Sequence, residues 1–125
     1  MASELTLSGT IDYSDSEGSS EILQVLEKVA NVSTKKHVKH KMNVGLSEET
    51  ISLGATGEIT SPGWAIFINR DSTNFINLKV AASGAIFAKL LPGEFAMLRL
   101  GSGATAPVAI ADTAACQMEY MIVST

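Results

Sequence analysis

Hydrophobic and polar positions alternate through much of this chain, and the clearest pattern lies between residues 61 and 80 (SPGWAIFINRDSTNFINLKV). An apolar run at 64–68 is followed by a polar segment at 69–74 and by alternating residues at 75–80. Asn, Asp and Ser favour turns because their side chains hydrogen-bond to nearby backbone groups. The pattern therefore predicts a β-hairpin. Its first strand is apolar on both faces, so we expect it at the centre of a sheet, covered on both sides, with Trp64 buried.

The same alternation recurs in later segments that are separated by turn-forming residues. Segments 86–90 and 108–110 alternate, and Pro92 and Gly93 predict a turn between strands. Two further segments, 95–100 and 116–122, also alternate. The residues expected to point inward are Ala96, Leu98, Leu100, Cys116, Met118, Tyr120 and Ile122. Those expected to point outward include Phe95, Met97 and Arg99. Eight or nine short strands of this kind predict an all-β fold, a single-domain, jelly-roll-like β-sandwich over residues 1–125. Its core hairpins fall in 50–125, and 1–49 form an N-terminal part.

The N-terminal part has a less regular pattern. Residues 5–13 predict a half-buried strand with a bulge at Gly9, and the acidic segment 14–20 predicts a loop. Residues 21–30 fit the spacing of a helix as well as that of a strand, and their β-branched valines and all-β surroundings favour a strand. The basic run 35–41 predicts an edge strand whose lysines discourage pairing with another sheet. The alternative interpretation is that the basic face of this strand binds an acidic surface of a partner.

Length and composition restrict the class of protein further. A chain of 125 residues with 46% hydrophobic residues is expected to form one domain around one core. The net charge of −4 argues against nucleic-acid binding, which needs a basic face. A single cysteine excludes an internal disulfide framework, and neither a signal peptide nor an apolar run of membrane length is recognisable. We therefore expect a soluble protein that is made in the cytoplasm and does not bind membranes.

No group of residues predicts catalysis, a metal or a cofactor. Asp12, Asp15 and Glu17 lack the full spacing of a calcium-binding loop. His37 and His40 are predicted on opposite faces of a strand, so they are not expected to share a metal ion. Cys116 is interpreted as a small buried residue and not as a nucleophile.

Two further motifs have ordinary structural interpretations. The segment 101–106 (GSGATA) imitates a dinucleotide-binding loop, but no helix is predicted after it, so a glycine-rich turn is favoured. Arg70 and Asp71, in the polar segment, are expected to have a local structural role. They can pair with each other, with Glu94 or with a neighbouring subunit.

Several large apolar residues fall on strand faces opposite the main inward series. A sandwich normally leaves the outer face of each sheet polar, and a large exposed apolar patch usually marks a partner. We therefore predict an interface with other chains. Its candidate residues are Phe67, Phe75, Phe87, Phe95 and Met97.

Three blocks of the sequence resemble small virion proteins encoded among the structural genes of tailed bacteriophages. The blocks are PGWAIFINRDSTNFINLKV at 62–80, FAKLLPGEFAMLRL at 87–100 and IADTAACQMEYMIV at 110–123. The resemblance covers residues 50–125, whereas residues 1–49 are similar only in length and strand-like character. The shared blocks mark turns in a β-sandwich and carry no reaction chemistry.

The resemblance implies a structural role in the virion, and we interpret the chain as a capsid decoration (cement) protein that stabilises the head. Its expected partners are the major capsid protein or other virion proteins and further copies of itself, with a trimer favoured by capsid symmetry. The first alternative is a tail, neck or fibre-base component of the virion. An alternative of another class is a carbohydrate-binding module, which would need exposed aromatic rings, whereas Tyr13, Trp64 and Tyr120 are all predicted to point inward. An enzyme is not expected.

Overall fold

All regular secondary structure in the described part of the chain is β-strand. The computed structural model describes residues 4–31, 36–53, 59, 61–100 and 106–124. Within these ranges, ten strands form three antiparallel sheets and no residue is helical. The all-β prediction is therefore confirmed. In the same ranges there is no helix that could span a membrane.

The chain divides into two compact units, Met1–Ser33 and Thr34–Thr125. In the first unit, β1 (Glu4–Ser14) and β2 (Ser20–Asn31) pair as a two-stranded antiparallel ribbon. The second unit contains the other eight strands, in two sheets of four. The single domain over residues 1–125 stays a prediction.

The ribbon confirms the strand that was favoured over a helix for residues 21–30. Its register shifts between Leu7 and Gly9, where the bulge was expected. Leu7 is buried, but Ile11 and Tyr13, which were expected on the buried face of the strand, are exposed. A ribbon of two strands has no second layer of its own, so the described part of this unit leaves them uncovered.

The second unit is a β-sandwich. Its strands are β3 (His37–Val44), β4 (Glu49–Thr50), β5 (Pro62–Asn69), β6 (Ile76–Lys79), β7 (Ile86–Leu90), β8 (Phe95–Arg99), β9 (Val108–Ala111) and β10 (Cys116–Ser124). The first sheet has the order β3-β10-β5-β8, and the second has the order β4-β9-β6-β7. Successive strands repeatedly change sheet, and β3 lies at an edge of the first sheet, as the basic run predicted.

One apolar core joins the two sheets. From the first sheet it contains Val38, Val44, Ala65, Phe67, Cys116, Met118, Tyr120 and Ile122, and from the second Ile76, Leu78, Leu90, Ala109 and Ala111. The inward series predicted for 116–122 is therefore confirmed. Ala96, Leu98 and Leu100 pack against this core, also as predicted, and Phe95, Met97 and Arg99 are exposed.

The predicted hairpin between residues 61 and 80 is wrong. β5 pairs with β8 and β10 in the first sheet, whereas β6 pairs with β7 and β9 in the second. β5 has a neighbouring strand on each side, as expected for a central strand. Both of its edges are therefore occupied, and β6 cannot pair with it. The polar segment instead carries the chain from one sheet to the other.

The two faces of β5 also differ from the prediction. Ala65 and Phe67 point into the core, whereas Trp64, Ile66 and Ile68 lie on the outer face of the sheet and are only half-buried. The expectation of a buried Trp64 is therefore wrong. When every position of a strand is apolar, the sequence does not show whether the odd-numbered or the even-numbered residues face the core.

Candidate functional site

Three connections between the sheets meet at one end of the sandwich. They follow β5, β7 and β9, and they contain the turn residues of the three sequence blocks described above. The Asn69 N–H donates to the Glu94 carbonyl (2.9 Å), and the Gly93 N–H donates to the Asn69 carbonyl (3.0 Å). The Arg70 N–H donates to the Gln117 carbonyl (2.9 Å). Blocks that are far apart in sequence thus form one hydrogen-bonded end of the fold.

Asn69 is the centre of this end. Its side chain is fully buried, and its Nδ2 donates to the carbonyls of Asn74 (2.9 Å) and Leu90 (3.0 Å). Its Oδ1 accepts from the Asp71 N–H (2.9 Å). A buried polar group is tolerated when it is hydrogen-bonded, and here the side chain fastens the connection to β7. In the structure Asn69 continues the inward series of β5 after Ala65 and Phe67, whereas the sequence alone predicts only a turn residue at this position.

Of the two charged residues that follow Asn69, Asp71 has local partners, as expected, whereas Arg70 pairs with a residue on another strand. The Asp71 carboxylate accepts from the N–H groups of Asn74 (2.6 Å) and Thr73 (2.9 Å), and these bonds lower its pKa. The Arg70 guanidinium contacts the Glu119 carboxylate on β10 at 2.6 Å and lowers the pKa of that group. The sequence analysis did not include Glu119 among the partners of Arg70.

Cys116 lies at the same end, and its surroundings fit packing better than reaction chemistry. Its Sγ lies 3.5 Å from the Ala114 carbonyl and 3.8 Å from the Phe75 carbonyl, and the residue is buried. Burial raises the pKa of the thiol. Because the thiolate is the nucleophile, this environment makes Cys116 less reactive.

The histidines and acidic residues considered as metal ligands do not come together in the described part of the chain. His37 and His40 lie three residues apart on β3, opposite Val123 and Tyr120 respectively, and an odd spacing directs two side chains to opposite faces of a strand. Among the described residues there is no cluster of His, Cys, Asp or Glu that could hold a metal ion. The Asp15 carboxylate accepts from the N–H groups of Ser19 and Glu17, each at 2.9 Å, so it closes the turn between β1 and β2. The bond from Ser19 is the main cause of its lowered pKa.

The predicted interface residues fall in three environments. Phe67 is completely buried in the core, so its side chain is not available to contact another chain. Phe75 and Phe87 are half-buried, and the Lys89 ammonium lies 4.0 Å from the centre of the Phe75 ring. Phe95 is 64% exposed and Met97 is 38% exposed, side by side on β8. An interface at these last two residues stays a prediction.

Phe95 and Met97 belong to a larger apolar surface. Ile68 lies opposite Phe95, and Ile66 lies between Met97 on one side and Met121 on the other. We call these residues and the neighbouring tryptophan the apolar patch: Trp64, Ile66, Ile68, Phe95, Met97 and Met121. The members of the patch on β5 were not predicted from the sequence, because Trp64 and the isoleucines on the same face were expected to point inward.

The rest of the same outer face is charged. β3 adds Lys39, opposite Met121, and Lys41, opposite Glu119. A shallow depression of about 210 Å³ lies on this face, and its lining includes Lys39, Ile66, Ile68, Arg70, Glu119 and Met121. The face therefore combines an apolar region centred on β5 and β8 with lysines on β3 and a carboxylate on β10.

In the first unit, the ribbon also has an exposed apolar face. Ile11 is paired with Leu23 across the ribbon, and Tyr13 follows on the same face of β1. The exposed fractions of these side chains are 67%, 72% and 53% respectively. We call these three residues the ribbon face. Its tyrosine and the half-buried Trp64 were both expected to point inward, and only Tyr120 does so.

No protein-family model, curated protein sequence or solved structure matches this chain significantly.

Proposed function

We propose that this chain is a structural protein of a tailed-bacteriophage virion that decorates the head as a capsid cement protein. The observation that carries the proposal is the exposed apolar face of the ribbon, at Ile11, Tyr13 and Leu23. A two-stranded ribbon is at most marginally stable in water on its own. Such an element suits a protein whose task is to bind other chains.

The order of the strands supports the architecture proposed for this role. A jelly roll has eight strands in two four-stranded sheets, with a chain that crosses repeatedly between them. The orders β3-β10-β5-β8 and β4-β9-β6-β7, with crossings after β5, β7 and β9, agree with that description. We therefore propose a jelly roll with an N-terminal ribbon.

The position of the three resembling blocks also supports a structural role. They converge on the Asn69 end of the sandwich, where their polar groups bond to one another. Residues used in this way hold the two sheets together. This arrangement supports a structural role for the resembling blocks.

Labelling of virions tests the proposed location. Virions of the phage that encodes this chain are incubated with a gold-labelled antibody to the purified protein and imaged in negative stain. We expect gold over the whole head, and heads assembled without the protein should break at a lower temperature than complete heads. Gold confined to the neck, tail or fibre base would overturn the decoration role in favour of the tail alternative. Unlabelled virions would overturn both.

A further inference from the structure

Each of the two units of this chain has an exposed apolar surface. One is the ribbon face in the first unit, and the other is the apolar patch on the outer face of the first sheet in the second unit, where Phe95 is 64% exposed. Exposed apolar patches of this kind mark contact surfaces. A chain that carries two different ones can associate with itself, because each can cover the other in a neighbouring copy.

The two surfaces have the same kind of backbone structure. The ribbon face lies on a pair of antiparallel strands, with Ile11 beside Leu23. The most exposed part of the patch also lies on a pair of antiparallel strands, with Ile68 beside Phe95 and Ile66 beside Met97. Two such layers can pack face to face with their side chains interdigitating, at a separation of about 10 Å.

The charges around the two surfaces are opposite in sign. On the ribbon face Glu21 is paired with Tyr13, and the turn beside it carries two further acidic residues, Asp15 and Glu17. The outer face of the first sheet carries four basic residues, Lys39, Lys41, Arg70 and Arg99, against one carboxylate, Glu119, so its net charge is +3. Opposite charges beside an apolar contact speed the encounter of two surfaces and determine how they are aligned.

We propose that the ribbon face of one copy packs on the apolar patch of a second copy, with the acidic end of the ribbon directed toward the lysines of β3. Such a contact is heterologous, because the two copies contribute different surfaces. Repeated contacts of this kind close into a ring or grow into a filament. The proposal concerns contacts between copies of this chain and does not depend on the place of the protein in a virion.

The test uses two variants of the full chain, each with one broken surface. Leu23→Asp places a charge in the ribbon face, and Phe95→Glu places a charge in the apolar patch. Sedimentation velocity is expected to find an oligomer for the unchanged protein and a monomer for each variant alone. When the variants are mixed in equal amounts, we expect a one-to-one dimer. The intact ribbon of the Phe95→Glu chain then binds the intact patch of the Leu23→Asp chain, and the remaining surfaces are both broken.

Matched controls separate the contact from a general effect of added charge. Ile22 is next to Leu23 on the opposite face of the ribbon and is similarly exposed, at 67%. Ile86 is 55% exposed on β7, in the other sheet. Ile22→Asp and Ile86→Glu are therefore expected to assemble like the unchanged protein. Circular dichroism of all four variants checks that the strands are retained.

The charges are tested in the mixed dimer. Lys39→Glu with Lys41→Glu in the Leu23→Asp chain should weaken the dimer by about tenfold or more at low salt, with a smaller change at high salt because exposed charges are screened.

Three outcomes would overturn the proposal. The first is an unchanged protein that is monomeric, the second is a mixture of folded variants that forms no dimer, and the third is a folded variant that assembles alone as the unchanged protein does. None of these results depends on where the protein is located in the virion, so the proposed function is tested separately.

Discussion

The sandwich and the ribbon are both built from strands with apolar faces, but the sandwich covers one apolar face completely and the ribbon does not. Phe67 on β5 is completely buried between two sheets, whereas Leu23 on β2 is 72% exposed. The difference is not one of hydrophobicity. It arises because β5 has a second sheet packed against its apolar face, whereas the described part of the ribbon's own unit contains only the two strands. Alternation therefore identifies an apolar face without identifying what covers it.

The largest effect that we expect from this comparison is the loss of Phe67. Phe67→Ala should destabilise the protein by about 3–5 kcal/mol, because it removes a buried ring and leaves a cavity. Leu23→Ala should change the stability of the monomer by less than about 0.5 kcal/mol, as is usual for exposed positions. Urea unfolding at a concentration where the protein is monomeric measures both values. Equal losses would mean that the ribbon face is covered within the chain.

Asn69 should give the next largest effect. Asn69→Ala removes three hydrogen bonds of a buried side chain and leaves the Leu90 carbonyl without this donor, which should cost about 1–3 kcal/mol. Asn43, exposed on β3, provides the control, and Asn43→Ala should have little effect. A loss for Asn69→Ala no larger than that of its control would show that the end of the sandwich does not depend on this side chain.

Trp64 lies between the two extremes, because it is half-buried on the outer face of the sheet. Trp64→Ala should cost about 1–2 kcal/mol, since only part of the apolar area of the ring is removed from water. The value should fall between those for Phe67→Ala and Leu23→Ala in the same urea experiment. A loss of stability as large as that of Phe67→Ala would show that the indole ring of Trp64 is fully buried.

Part of β10 was predicted correctly because polar residues mark its outer positions. Gln117 and Glu119 alternate with Tyr120 and the other core residues of this strand, so the assignment of Tyr120 to the core was correct. β5 is apolar at successive positions, and this left the orientation of Trp64 undetermined. Residues 21–30 fit the periods of both a helix and a strand, and pairing with β1 decides between them.

The candidate surfaces were less predictable than the fold, because they depend on neighbours that are distant in sequence. Ile66 becomes part of the apolar patch through its pairing with Met97 and Met121 on different strands. Asn69 likewise receives its role from the carbonyl of Leu90. The predicted hairpin failed for the same reason, since the partners of β5 are supplied by later segments of the chain.

The smallest effect that we expect is a dependence of the stability of the sandwich on pH, through its paired glutamates. Hydrogen bonds from Arg70 are the main cause of the lowered pKa of Glu119, and a hydrogen bond from Lys79 is the main cause for Glu48, both in the sandwich. A pKa that is lower in the folded state stabilises the fold above the unfolded pKa, for which the ordinary glutamate value is 4.5. This stabilisation is lost as the pH falls through the folded pKa.

The melting temperature of the sandwich should therefore fall as the pH is lowered below the ordinary glutamate value, and Glu119→Gln should make this fall smaller. Arg70→Gln should reduce it similarly, because it removes the other partner of the pair, and the double variant should resemble either single variant. In the ribbon, the lowered pKa of Asp15 has a different origin, in backbone N–H groups of its own turn. Glu119→Gln should consequently leave the ribbon unaffected. Thermal unfolding followed by circular dichroism between neutral pH and strong acid measures these slopes, and unchanged slopes in both single variants would show that the pair does not contribute.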